Sequence, residues 1–191
     1  MAVSLGAPVV RTYSGYFHPE ATYEQQWKWC VEGLREGAKM AEDYGVYLGL
    51  QNHSPIAAYF HDCLAMIEEV GSDHLKLVLD APLMAERGED LAACVKRAGN
   101  LIIHSHAADF VRVAGNQPGG FFTLLRVRVV SMGTGEIDYP TFIKALKEVG
   151  YDRYISYEMC SSHIEGGTHE GNLDQLARIA LKYLKDQIKK A

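Results

Sequence analysis

The sequence predicts an α/β fold built on parallel strands. Three observations carry that expectation. Short apolar runs alternate with longer amphipathic stretches, the alternation recurs five times, and the runs are near-continuously apolar, as strands covered on both faces are. The chain has 191 residues, 48% of them hydrophobic and 23% charged, enough for a sizeable core and, on length, one domain over residues 1–191. That composition excludes disorder, collagen-like repeats and coiled coil. A net charge of −5 argues against nucleic acid as the main partner, since phosphate binding leaves a basic footprint.

Each element has its own local reason. Val9 to Tyr13 reads as a strand stopped at Ser14-Gly15. Tyr23 to Tyr44 places Trp27, Val31, Leu34, Ala38 and Ala41 at helical spacing, and Gly45 ends the helix. Val46 to Gln51 is a second strand, followed by a helix from Tyr59 to Val70 closed by Gly71. Leu75 to Leu79 and the helix from Leu91 to Ala98 form the third unit. Leu101 to Ile103 opens a fourth strand expected to run through His104 to Asp109. Beyond it, Gln117-Pro118-Gly119-Gly120 is a turn signal, and Leu124 to Val130 reads as an extra strand. Tyr139 to Val149 is a helix ended by Gly150, Tyr154 to Glu158 the fifth strand, and Leu173 to Ile188 the last helix. A doubly wound sheet and a (β/α) barrel both fit. No glycine-rich phosphate loop follows the first strand, and Gly133-Thr134-Gly135 is a weak match, which disfavours a nucleotide-binding doubly wound sheet.

The polar residues fall where the strands end. Gln51, Asn52 and His53 close the second strand, Asp80 the third, His104, His106 and Asp109 the fourth, and Glu158 the fifth. In parallel α/β folds that edge binds ligands. Alternation gives His104 and His106 one facing, so Gln51, Asp80, His106 and Glu158 converge as a set of three oxygens and one nitrogen suited to Mn²⁺, Co²⁺, Mg²⁺ or Zn²⁺. The blander readings are local. An Asp after a strand commonly caps a turn or helix, and a His there is commonly a hydrogen-bonded structural residue. A carboxylate within an apolar strand needs a partner or a metal, which singles out Glu158. Cys30, Cys63, Cys94 and Cys160 are scattered without CxxC spacing, and the first three lie on apolar helix faces as small hydrophobes. No leader pattern and no apolar run near about 20 residues is present, so no membrane association and a cytoplasmic location are expected.

At Leu48 to His53, His106 to Asp109, Met132 to Tyr139 and Ile155 to Glu158, the sequence resembles the xylose isomerase-like TIM-barrel superfamily of sugar phosphate isomerases and epimerases. The resemblance implies an eight-stranded (β/α) barrel and a divalent metal held by Gln51, Asp80, His106 and Glu158. It implies metal-dependent proton transfer on a sugar or sugar acid through an enediolate, with Glu158 as base and His53 as substrate-binding or secondary acid/base residue. His104, Asp109 and His163 are expected to line the substrate site. Two positions depart from the family. Gln51 stands where Glu is usual, and a neutral amide cannot act as a base. Leu83 stands where a His three residues after the third-strand Asp is common.

Two functions are therefore weighed: a metal-dependent isomerase or epimerase, and a non-catalytic sugar-binding relative. An abasic-site endonuclease is disfavoured, since it needs more ligands and a basic groove. A full barrel takes about 250 residues. Five units resemble the fourth to eighth of the family, so the fold expected is a partial (β/α)8 TIM barrel lacking its first three units, or one whose open side a second copy covers.

Overall fold

The computed structural model describes residues 1–53, 55–112, 127–159 and 173–191. Five strands form one parallel sheet: β1 (Val9–Thr12), β2 (Tyr47–Gln51), β3 (Leu75–Asp80), β4 (Ile102–Ala107) and, last at the far edge, β7 (Ile155–Tyr157). Between β4 and β7 in sequence, β5 (Asp109–Arg112) and β6 (Val127–Val130) pair antiparallel as a separate ribbon. The helices are α1 (Tyr23–Asp43), α2 (Phe60–Val70), α3 (Ala81–Glu86), α4 (Leu91–Ala98), α5 (Tyr139–Glu148) and α6 (Leu173–Lys190).

The strand order settles the architecture. The five strands lie side by side in sequence order with no reversal. Right-handed crossovers then place every helix on the same face of the sheet, whereas a doubly wound sheet reverses direction and is covered on both. The result is the arc of a TIM barrel, with helices outside and a concave inner face. Burial grades across it: Leu50, Leu75, Leu77 and Leu79 on the central strands are fully buried, while Val10 on β1 is 40% exposed. The outer core packs these leucines against Val31, Leu34 and Ala38 of α1 and Phe60, Cys63 and Met66 of α2.

Helix starts follow their caps. Thr22 and Gln25 form a reciprocal capping box at α1. Asp90 and Asp138 accept from the third residue of α4 and α5. Gly71 ends α2 in the left-handed conformation (φ 69°), which glycine adopts without a steric cost.

Two departures from expectation shape the site. The fourth strand does not run through to Asp109: it ends at Ala107, and Asp109 begins the β5–β6 ribbon. The predicted strand at Leu124 is described only from Val127, and the turn at 117–120 lies outside the described residues. The short helix α3, absent from the sequence reading, starts directly after β3 because Asp80 caps it. Cys30, Cys63 and Cys94 are free thiols. No described helix is long and apolar enough to cross a membrane.

Candidate metal centre

The inner face collects its polar residues through strand register. Asp80 lies beside His106 across β3 and β4. That pairing depends on a β-bulge. Leu77 pairs with Ile102 but Val78 with His104, so β4 carries one extra residue. Paired residues in a parallel sheet face the same way. Without the bulge Asp80 would sit beside Ser105, and both histidines would point toward the helices.

Three of these residues form a compact cluster. One ligand atom each of Asp80, His106 and Glu158 lies within 4.8 Å of the other two. His106 Nδ1 is 2.8 Å from Glu158 Oε2 and 3.8 Å from Asp80 Oδ2. Although buried, it lies in line with neither oxygen for a well-formed hydrogen bond. A ring nitrogen set between two carboxylates at these separations suits a divalent cation, whose ligands at roughly 2.0–2.3 Å lie within about 4.5 Å of one another. The donor set therefore fits the metal expected from sequence. Without a cation, burial disfavours the charged ring, but the two carboxylates outweigh it and raise the His106 pKa to about 9.

Asp80 has two tasks. Its Oδ1 accepts from the Leu83 backbone at 2.9 Å and caps α3, while Oδ2 faces Gln51 and His106. The helix-cap reading of this residue uses one oxygen, and the other is left facing the cluster. Asn52 holds the strand end, accepting from the Asp80 backbone at 2.7 Å and donating to its carbonyl at 3.2 Å.

Gln51, 1% exposed, donates from Nε2 to Asp80 Oδ2 at 2.5 Å, and its Oε1 accepts from Arg11 Nη1 at 2.6 Å. The oxygen expected as a metal donor is thus turned toward Arg11. Arg11 Nη1 also lies 3.4 Å from Glu158 Oε1. Sequence reasoning missed Arg11, though the signal was present: a charge inside the apolar run of β1, the same argument that singled out Glu158.

The other expected site residues are more dispersed. His104 is half-buried, its Nε2 is 2.9 Å from Ser156 Oγ, and its ring centroid lies 5.3 Å from that of His106. Burial first, then the neighbouring His106, lowers its pKa. His53 follows β2 in a loop, against the Tyr13 ring at 5.1 Å. Asp109, expected to line the substrate site, borders a cavity with Asp80 and Glu158, and its carboxylate accepts from the backbone N–H groups of Phe110, Gly133, Gly135 and Ile137. It anchors the 133–137 loop because it begins the β5–β6 ribbon and does not end a barrel strand. His163 lies outside the described residues.

The sequence profile of the family described as xylose isomerase-like TIM barrel matches residues 1–187. The chain belongs to that family. Among its relatives, the L-ribulose 3-epimerase of Mesorhizobium japonicum is 30% identical over 149 residues, 76% of this chain and 44% of that protein. The inosose dehydratase of Clostridium beijerinckii is 26% identical over 172 residues, 86% of this chain and 55% of that protein. The chain thus spans about half the length of the curated relatives it matches. Among solved structures, the IOLI protein with a bound zinc atom superposes with a TM-score of 0.78 at 23% identity, covering 99% of this chain and 66% of that one. L-ribulose 3-epimerase superposes with a TM-score of 0.77 at 25% identity, covering 99% and 64%. The xylose isomerase-like TIM barrel expected from the sequence motifs is therefore the family found, and the partial barrel is its fold.

Proposed function

We propose that this xylose isomerase-like protein catalyses metal-dependent proton transfer on a carbon next to the carbonyl of a sugar or sugar acid, as an isomerase or epimerase. The single observation that carries the reading is the Asp80, His106 and Glu158 cluster at the C-terminal ends of three strands. Asp80, His106 and Glu158 would hold the ion, with Gln51 beside Asp80. A divalent ion there supplies a Lewis acid that draws charge onto the sugar's oxygens.

Glu158 is the base. Its side chain is 30% exposed, against 7% and 8% for Asp80 and His106, so it is the member of the cluster that reaches a substrate. Arg11 lies 3.4 Å from Glu158 Oε1 and leaves Oε2 toward His106, which orients the carboxylate that accepts the proton. His53, at the mouth of β2, serves as secondary acid/base or substrate contact. His104 offers a half-buried imidazole to a sugar hydroxyl. A second reading, sugar binding without chemistry, is favoured by Gln51 and Leu83, which give neither a second base nor an imidazole where such groups are usual in the family.

Deuterium wash-in separates the two. The protein is incubated with Mn²⁺ and L-ribulose or D-psicose in D₂O, and exchange of the hydrogen next to the carbonyl is followed by NMR. Exchange that falls about a hundredfold or more in Glu158→Gln is the expected result. Binding of these ketoses with no exchange leaves the non-catalytic reading.

A further inference from the structure

The arrangement around Gln51 has only one chemically consistent orientation. A glutamine amide has one donating end and one accepting end, and the two differ only in how the nitrogen and oxygen are placed. Here the partners decide. An ionised Asp80 carboxylate only accepts and the Arg11 guanidinium only donates, so Nε2 must face Asp80 and Oε1 must face Arg11. Turning the amide over would set N–H against N–H on one side and oxygen against oxygen on the other. Gln51 is buried, so water cannot repair either mismatch.

We propose that Arg11 is a positioning residue: it locks Gln51 as a hydrogen-bond donor to Asp80, so that Gln51 supports a three-ligand cation site from outside and is not a fourth ligand. This rests on the metal-dependent reading above. The lock also orients the ligands. Gln51 engages Asp80 Oδ2 while the Leu83 backbone engages Oδ1, which fixes the plane of that carboxylate. Arg11 takes Glu158 Oε1 and leaves Oε2 facing His106. Outer hydrogen bonds of this kind set ligand orientation at metal centres. The arrangement changes the charge as well. With a glutamate at position 51 and a neutral residue at 11, three carboxylates would surround the ion. Here two do, with a guanidinium beside them, so the site holds a divalent ion less tightly and with one more place open to substrate or water.

The test is Mn²⁺ affinity by calorimetry and the visible absorption of Co²⁺, on wild type, Arg11→Lys, Arg11→Gln, Gln51→Leu and the Arg11→Gln/Gln51→Leu pair. Arg11→Lys keeps a cationic donor and is expected to match wild type within about twofold. Arg11→Gln offers an amide that pairs with either end of Gln51, so the lock is released without leaving a buried group unpaired. Its Mn²⁺ dissociation constant is expected to fall about tenfold, and its Co²⁺ absorption to weaken as the Gln51 oxygen joins the ion. In the Gln51→Leu background the same change is expected to gain less than about threefold, from charge alone. Equal gains in both backgrounds, or a Co²⁺ spectrum unaltered in Arg11→Gln, overturn the proposal and leave the metal reading standing. Failure of the wild type to bind either ion removes both.

Discussion

Glu86 illustrates how one residue on this scaffold sets a pH dependence. It lines a small apolar cavity with Leu83, Phe110, Val127, Val129 and the site residues Asp80 and Glu158, and its Oε1 is buried without a hydrogen-bond partner. Burial pushes its pKa up to about 7; Arg87 and Arg112 pull it down, and Asp80 adds to the rise. The sign follows from proton counts. Between the unfolded value near 4.5 and about 7, the folded state holds a proton that the unfolded state has released. Folding is therefore penalised as pH rises through that window, and the penalty is complete above it. Glu86→Gln cannot ionise, so denaturant melts are expected to show it more stable than wild type at pH 8 by about 1 kcal/mol, allowing for solvent screening, and equal at pH 4.5. A stability difference independent of pH would place the effect in packing. Sequence pattern did not reveal this residue, because nothing along the chain shows that the end of α3 folds beside the strand ends. The convergence of Asp80, His106 and Glu158 is legible for the opposite reason: each sits at or just after a strand end, where parallel topology dictates its neighbours.

At the level of elements, what the sequence shows is periodicity, and what it conceals is register. The amphipathic spacing in α1, α2, α5 and α6 reports one buried face, so those helices were readable to within one or two residues. The bulge at Ile103 of β4, opposite Leu77 and Val78, leaves no such trace, yet it turns His104 and His106 inward. Of the ribbon, β6 falls within the extra strand expected at Leu124 to Val130, whereas β5 is hidden because Phe110 and Val111 continue the run of β4. Asp109 explains why the chain leaves the barrel there. Its carboxylate gathers four backbone N–H groups, and a Cβ on Gly135 would collide with it, so the 133–137 loop closes over the carboxylate only with glycine at that point. Asp109→Asn keeps the size but directs an NH₂ group at amide donors. It is expected to cost about 2 kcal/mol of unfolding free energy measured by chemical denaturation, while Mn²⁺ affinity changes little. A stable Asn variant would show the loop held by other contacts.

For the molecule as a whole, the arc itself poses the remaining physical problem. Among the described residues β1 and β7 have no strand beyond them, so each presents one row of backbone donors and acceptors on its outer side. Apolar groups cluster near those edges: Val10 on β1 is 40% exposed, and Tyr16, Phe17 and Tyr154 are 58–78% exposed. A net charge of −5 spread over 191 residues gives only mild repulsion between copies. Edge strands flanked by exposed aromatic groups recruit further strands unless a charge or a covering element prevents it. The chain alone in solution is therefore expected to self-associate, with a scattering mass above its 21.2 kDa that grows with concentration. Val10→Lys puts a charge on the β1 edge without entering the inner face, where Arg11 and Gln51 lie. It is expected to lower the association and to leave Mn²⁺ affinity unchanged. A wild-type mass of one chain at every concentration would mean that the edges are already satisfied, and the association argument would fail at its first premise.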